Sequence, residues 1–515
     1  MSAAGDVVAV DSGLALSARA HTVDGELEGA TIGAGAKLDR SFARGIAWLG
    51  SVKWLVQLLT WGSTIVVARI LTPADYGLLT MGTVLLSFIT LLSESGIGMT
   101  VVTVREITEE QVAQINGGAL LMGVSTFLVA CLAAFPMGWF YRTSALPPVI
   151  IVLSSTLVIS AFRVVPGALL QKDLRFPRLA FIDACQGLVT AVTTIVLAIL
   201  GFRYWSLVLG GVLGAVIGSV ATVAARPYRI TRPRWNTLKP VLPFTRNMVV
   251  GRLFWYAYQN SDFIIAGKRL GEIALGAYSY AWTLASMPVD KISALLSSVT
   301  PPIFAAIQND IPALRRYFLT VTEGLAVVAF PLTVGMALVA TDLVPTVFGA
   351  KWLFMIPPLQ VLAVYATLRT ITPTASQVLV VTGDTGYLMY MAGLAALVLP
   401  ASFYIGSRWG TLGIAVAWTI AHPIAVYLPL NVRLFTRLRL PIVQYLRALW
   451  PAVSSCLAMW AAVAMVHSQL SGASAIARLA AEIGAGALAY SASLLLFHRS
   501  RVTAFIALWR DPPKV

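Results

Sequence analysis

From about residue 46 to residue 497 the chain is a succession of apolar runs joined by short polar connections. A helix needs about 20 consecutive apolar residues to cross a bilayer. Fourteen runs of that length follow one another, near 46–68, 76–97, 117–138, 147–168, 180–200, 204–224, 246–266, 276–300, 319–340, 354–381, 386–406, 410–431, 443–466 and 475–497. The eighth and tenth are long and contain Pro288 and Pro373, residues that often mark kinks in membrane helices. The predicted fold is all-α and integral to a membrane, with about 14 transmembrane helices. Composition agrees. Of 515 residues, 58% are hydrophobic and 11% charged, against about 45–50% and about 25% in a soluble domain. One buried core stops growing near 250–300 residues, so a chain this apolar needs the bilayer as second solvent. A cytosolic enzyme, a secreted disulfide scaffold and a disordered chain are excluded. Cys131, Cys185 and Cys456 lie far apart inside apolar runs, and His21, His422, His467 and His498 are scattered. Neither a disulfide nor a metal site is expected.

The net charge of +15 would suggest nucleic acid in a soluble protein. Here the basic residues sit between apolar runs, where they orient helices, and no nucleic acid partner is expected. With a cytosolic N-terminus, the cytosolic segments hold 22 Lys and Arg, counting from Lys37, and the opposite side holds 7, namely Arg69, Arg142, Arg203, Lys268, Arg269, Lys351 and Arg408. That asymmetry predicts both termini inside and an even number of spans. Residues 1–40 lack a basic start followed by an apolar core. They are expected to be a disordered cytosolic tail rather than a secretory signal. The connection 226–245 carries Arg226, Arg229, Arg232, Arg234 and Lys239. It reads as a headgroup anchor, with a partner-binding patch as the competing reading.

A repeat runs through the chain. Shifted by 199 residues, IVVARILTPADYG (65–77) falls on IIAGKRLGEIALG (264–276). Ile65 meets Ile264, Arg69 meets Lys268, Leu71 meets Leu270 and Gly77 meets Gly276. The shift covers six spans, so the repeats are parallel, as in transporters whose cavity lies between two lobes. The expected organisation is an N-terminal lobe over 41–225, the basic connection 226–245, a C-terminal lobe over 246–440, two appended spans over 441–500 and a cytosolic tail over 501–515.

Charges inside a span cost roughly 2.5–3.5 kcal/mol each on insertion scales, so they face a cavity or one another. The basic ones are Lys53, Arg163, Arg252, Lys291, Arg369, Arg447 and Arg478; the acidic ones are Glu94, Asp183, Asp262, Asp290, Glu323 and Glu482. The repeat takes Lys53 onto Arg252, both in the first helix of their lobe. Arg163 and Arg369 lie in the fourth span of each lobe, at a shift of 206. Four cations around a central cavity suit a polyanion such as a diphosphate, which Arg can grip bidentately. The competing reading is snorkelling to headgroups, strongest for Lys53, Arg163 and Arg252 near span ends and weakest for the deeper Arg369. Arg447 and Arg478 read as interfacial anchors. Asp290 and Lys291 are neighbours that point about 100° apart on a helix and need not pair. Asp262 sits in the unusually polar stretch YQNSDFIIAG. It could line the cavity, bind a coupling ion or satisfy a neighbouring cation. Asp183, Asp262 and Glu323 are the candidates for Na⁺ or H⁺ coupling, and no cofactor is expected.

ARILTPADYGLLTM (68–81) resembles the stretch after the first helix of the polysaccharide exporter family. SESGIGMTVVTVREITEEQ (93–111), GALLQKDLRFPRLAFID (167–183), NSDFIIAGKRLGEIALGAYSYAWTLASMP (260–288), FPLTVGMAL (330–338) and VFGAKW (347–352) agree in order. These are the Wzx-like flippases of the multidrug/oligosaccharidyl-lipid/polysaccharide superfamily, and the resemblance is nearest to the colanic-acid and succinoglycan branch. It implies two pseudo-symmetric six-helix lobes plus two C-terminal helices. It also implies an undecaprenyl-diphosphate oligosaccharide substrate moved by alternating access from the cytosolic to the periplasmic leaflet of the bacterial inner membrane. Further implied partners are membrane lipids and the periplasmic polymerase and export machinery. The quoted motifs lie mainly in loops and helix ends, so the cation assignments rest on the repeat alone. Two alternatives stay open: a cation-coupled drug antiporter of the same superfamily, and a membrane polysaccharide polymerase. The appended spans and duplicated cations weigh against the first. Short outer loops and the lack of paired carboxylates weigh against the second.

Overall fold

The computed structural model describes residues 57, 59–93, 108–232, 242–499 and 501, without the side chains of 92, 93, 242–252 and 294–299. The tail 1–40, Lys53, Glu94, residues 233–241 of the basic connection and the end of the chain from 502 lie outside the described residues. So does the side chain of Arg252.

Regular structure among the described residues is entirely helical. The chain runs through α1 (Leu59–Ile70), α2 (Pro73–Ser93), α3 (Glu109–Tyr141), α4 (Leu146–Lys172), α5 (Phe176–Ile199) and α6 (Tyr204–Ala225). The run Leu242–Ala306 is broken at Gly271 (φ +82°, ψ −179°) into α7 (242–270) and α8 (272–306). Then come α9 (Ile311–Leu343), α10 (Ile356–Val381) and α11 (Thr385–Gly406). Gly410–His422 continues through a π turn, Pro423–Tyr427, into Leu428–Leu438; these make α12 (410–438). The pair α13 (Ile442–Gln469) and α14 (Ala475–Phe497) completes the chain.

The protein crosses the membrane many times: ten stretches of the described residues are long and apolar enough to span it. The expected fourteen is not reached by that count. Thr385–Leu438 counts once although the chain turns at Ser407–Trp409, Leu242–Ala306 is not among the ten, and the first run is described only over Leu59–Ile70. Helix continues through Pro288 and Pro373.

The two copies of the repeat turn their corners by different chemistry. In the first, Thr72 precedes Pro73 at the start of α2, and Asp75 Oδ2 accepts from the Thr72 backbone N–H at 2.9 Å and from its hydroxyl at 2.7 Å. Proline in the first turn and an acid reaching back to the cap residue are helix-start signals. In the second copy, position 271 takes the place of Thr72. It is glycine because its backbone is in the left-handed region.

These corners let α2 and α8 cross closely. A Cβ at Gly77 would overlap the Glu272 carbonyl oxygen, and one at Gly276 would overlap the Pro73 carbonyl oxygen. Pro73 and Glu272 are themselves 199 apart, so the crossing has a local two-fold relation. Thr80 Oγ1 donates to Ser279 Oγ at 3.0 Å, again across 199 residues. The main core draws on α2, α3, α4, α7, α8, α10, α11 and α12 around this crossing. A second core joins α13 and α14 to α9, α10 and α12.

Candidate functional site

Two groups of residues stand out: a seal where several quoted motifs meet, and two arginines held in the interior of the bundle. The seal forms where α1 ends and α2 and α8 begin. Trp352 Nε1 donates to the Ala68 carbonyl at 2.9 Å, Arg69 Nε to the Val347 carbonyl at 2.7 Å, and Lys351 Nζ to the Arg69 carbonyl at 2.7 Å. Thus VFGAKW (347–352) is bonded to ARILTPADYG (68–77). Tyr76, Tyr280, Phe348 and Trp352 pack together with ring centroids 4.7–5.4 Å apart. Trp352 is fully buried. Such aromatic pairs add about 0.5–1.5 kcal/mol each beyond their burial. At the same end Lys268 donates to the Phe140 carbonyl and lies over the Phe140 ring.

Away from the seal lie the arginines. Arg163 on α4 places Nη2 3.0 Å from Asp183 Oδ1 and Nη1 2.5 Å from Gln186 Oε1, both on α5. Gly218 of α6 leaves room for this pair, since a Cβ there would strike the Gln186 amide. Arg163 borders a cavity of about 510 Å³ whose wall includes the hydroxyls of Thr60, Ser63, Thr64, Thr190 and Thr194.

Arg369 on α10 is 13 residues past the helix start, roughly 20 Å at 1.5 Å per residue. Its Nη1 donates to Ser286 Oγ at 2.6 Å and its Nη2 lies 3.1 Å from Asp290 Oδ1. The guanidinium sits 5.2 Å from the centre of the Trp282 ring, a cation–π contact. The two arginine side chains are 26% and 28% exposed, while Asp183 and Asp290 are 63% and 60% exposed. In each pair the carboxylate is the more open partner. Each guanidinium thus donates to one neutral side chain and lies beside one exposed carboxylate.

Asp262 is fully buried. Its Oδ2 accepts from the Tyr278 hydroxyl at 2.8 Å and from Trp418 Nε1 at 2.9 Å, and its Oδ1 from the Phe263 N–H at 2.8 Å. Trp418 packs on Trp282 at 5.1 Å. Asp262 thus anchors the aromatic cluster on which Arg369 rests. The residues satisfied are hydroxyl and indole donors rather than a cation. Glu323 on α9 lies elsewhere: it is 3.3 Å from Arg501 and lines a separate cavity beside the C-terminal pair. Asp290 and Lys291 do not pair; Lys291 Nζ donates to Gln57 Oε1 at 2.6 Å.

Arg478, expected at the headgroups, instead clasps Asp342 of α9, with Nε 2.7 Å from Oδ2. His467 Nδ1 lies 2.8 Å from Glu482 Oε1 in the same cluster. Asp342 and Glu482 are buried. The helix spacing of Arg478 near a span end gave no hint of an acid 136 positions away. Likewise, nothing in the spacing of Trp282 and Trp418 links them to Asp262 and Arg369. Outside the spans, Asp384 precedes α11 and is clamped by Arg437 at 2.6 Å and Arg433 at 2.9 Å. Arg437 first, and Arg433 with it, hold the Asp384 carboxyl down at about 2.

Residues 66–357 match the model of a family described as polysaccharide biosynthesis protein. The match covers more than half of the chain. The chain belongs to the polysaccharide biosynthesis protein family. Relatives agree: the lipopolysaccharide biosynthesis protein WzxC of Escherichia coli (strain K12) is 26% identical over 75% of this chain and 79% of its own length. The teichuronic acid biosynthesis protein TuaB of Bacillus subtilis (strain 168) is 26% identical over 65% of this chain and 70% of its own. Among solved structures, lipid II flippase MurJ in its inward closed conformation superposes with a TM-score of 0.70 at 14% identity, covering 88% of this chain and 99% of that one. At that identity the likeness is one of fold. The family match begins just before the ARILTPADYG corner and ends just after VFGAKW, so both sides of the seal lie within it.

Proposed function

We propose that this family member is a flippase. It moves an undecaprenyl-diphosphate oligosaccharide from the cytosolic to the periplasmic leaflet of the bacterial inner membrane, for the assembly of a surface or exported polysaccharide. Two lobes, 41–225 and 246–440, rock about the α2–α8 crossing, with both termini in the cytosol. The diphosphate enters between Arg163 and Arg369 while the lipid tail stays in the bilayer. Lys53 and Arg252 complete the cationic ring in this reading. Closure of the cytosolic side and opening of the seal then release the headgroup outside. The chain acts as a transporter and not as an enzyme, and it hands its product to a periplasmic polymerase.

The observation that carries the reading is the matching surroundings of Arg163 and Arg369. Each donates to a neutral side chain, and each lies beside an exposed carboxylate that a diphosphate can displace. An Arg–phosphate pair gains from charge-assisted, bidentate hydrogen bonds. The family match and the names of WzxC, TuaB and MurJ point the same way.

A deletion strain tests it. Surface polysaccharide should be lost while complete lipid-linked repeat units accumulate on the cytosolic leaflet. Accumulation on the periplasmic leaflet would place the defect at polymerisation. Unchanged polysaccharide with new sensitivity to cationic dyes would favour the antiporter.

A further inference from the structure

At the end of the bundle where α9 and α13 begin, a cavity of about 940 Å³ opens between α9, α12, α13 and Arg501. Six arginines line it: Arg315, Arg316, Arg437, Arg439, Arg447 and Arg501. Glu323 is its one acidic lining residue among the described residues. Arg501 is paired with Glu323, Arg437 with Asp384, and Arg315 donates to the Arg439 carbonyl at 3.1 Å. Arg316, Arg439 and Arg447 have no ion pair among the described residues. One helix N-terminus adds its partial positive charge: that of α13, with Gln444 in its first turn and a cap residue, Pro441, that offers no side-chain acceptor; the start of α9 is capped by the Asp310 carboxylate. Guanidiniums gathered this way repel one another unless an anion sits among them.

The anion's carrier is indicated by what lies beside the cavity. From Arg447 outward, α13 exposes Leu446, Trp450, Val453 and Leu457. These recur at helical spacing and form one apolar stripe. Arg447 joins the two, since it lines the cavity and stands one helical turn before Trp450, and basic pockets between membrane helices are known to take anionic headgroups. The cavity of about 940 Å³ exceeds what one phosphate group fills, and the three guanidiniums without an ion pair suit more than one negative charge.

We propose that this cavity binds the headgroup of a membrane lipid bearing two phosphate groups, which ties α13 and α14 to α9 and α12. The site is distinct from the Arg163–Arg369 interior, and its occupancy is read without any transport assay.

The test is native mass spectrometry of the purified full-length protein titrated with tetraoleoyl cardiolipin. The wild type should retain one lipid at concentrations where an Arg316→Gln/Arg439→Gln/Arg447→Gln variant retains at least tenfold less. Glu323→Gln removes the lining carboxylate and should tighten retention severalfold, so a prediction survives even if the triple variant folds poorly. Inorganic diphosphate in hundredfold excess should leave the lipid in place. Equal retention by the folded triple variant, or unchanged or weaker retention by Glu323→Gln, would overturn the site. Displacement by that excess of inorganic diphosphate would overturn the lipid as its source.

Discussion

Gly77 and Gly276 lie 199 residues apart, and each turns a bare Cα to a backbone carbonyl of the other's helix, Gly77 to Glu272 and Gly276 to Pro73. The contact is two-fold symmetric and sits beside the aromatic seal. It depends on the absence of a side chain at both positions.

A side chain there should therefore loosen the seal. Overpacking costs about 1–3 kcal/mol, or about 5- to 150-fold in an equilibrium. In a background with Cys131, Cys185 and Cys456 replaced, a cysteine at Ser279 should be shielded from an impermeant maleimide added outside. Gly276→Val should raise its labelling at least fivefold. Unchanged labelling would mean that the crossing does not control access.

Arg369 should be needed for transport and not for insertion. Arg369→Ala should cut polysaccharide export at least tenfold at normal membrane abundance, since a charge-assisted hydrogen bond is worth about 1.5–3 kcal/mol. Arg369→Lys should restore part of the activity, because a lysine keeps the charge and loses the bidentate grip. Normal export by Arg369→Ala would remove the residue from the substrate path.

Asp262 should matter for folding first. Asp262→Ala leaves the Tyr278 hydroxyl and the Trp418 indole buried without an acceptor, at about 1–3 kcal/mol each. The melting temperature should fall sharply and activity with it. Asp262→Asn keeps an oxygen for both donors and should fold nearly as well. An Asn variant that is fully stable yet wholly inactive would point to an ion-binding role instead.

The Asp384 clamp gives a pH signature. Its carboxyl is held at about 2, below the ordinary 3.8. Stabilisation is therefore complete above about pH 4 and is lost as pH falls through about 2. The difference in melting temperature between wild type and Asp384→Asn should stay constant from about pH 7 to about pH 4.5 and shrink below about pH 3.5. A difference that grows on acidification would contradict the assignment.

Asp342→Asn should strand Arg478 and loosen the C-terminal pair, lowering the melting temperature. The double variant Asp342→Asn/Arg478→Met should recover much of the loss, since removing both charges is milder than removing one. No recovery would mean that the ion pair is not what holds α14 to α9.

Much of this was legible in the residues. The repeat at 199 could be read from thirteen aligned positions, and the structure makes it a contact between Gly77 and Gly276 and between Thr80 and Ser279. Arg163 and Arg369 were legible because a charge in an apolar run needs a reason. Their acids were less so: Asp183 stood out, yet nothing in the spacing joined Arg369 to Asp290, 79 positions away. Asp262 was conspicuous as a buried charge, but its partners come from α8 and α12, and only the packing brings a tyrosine and a tryptophan to one oxygen. Glu323 looked equivalent to Asp183 in sequence. It faces another cavity because α9 presents that side to the C-terminal pair. Hydrophobic periodicity fixes which residues enter the membrane; it does not fix which helices become neighbours.

The most direct test of the central claim is a flipping assay in proteoliposomes. Purified protein would be reconstituted with an undecaprenyl-diphosphate oligosaccharide carrying a fluorophore on its sugar, and dithionite added outside. If the protein is a flippase acting through its interior arginines, the wild type will bring inner-leaflet lipid out, and quenching will pass the outer-leaflet fraction. The Arg163→Ala/Arg369→Ala variant will stop at that fraction. Wild-type vesicles that also stop there, or a double variant that flips as fast as the wild type, would contradict the account.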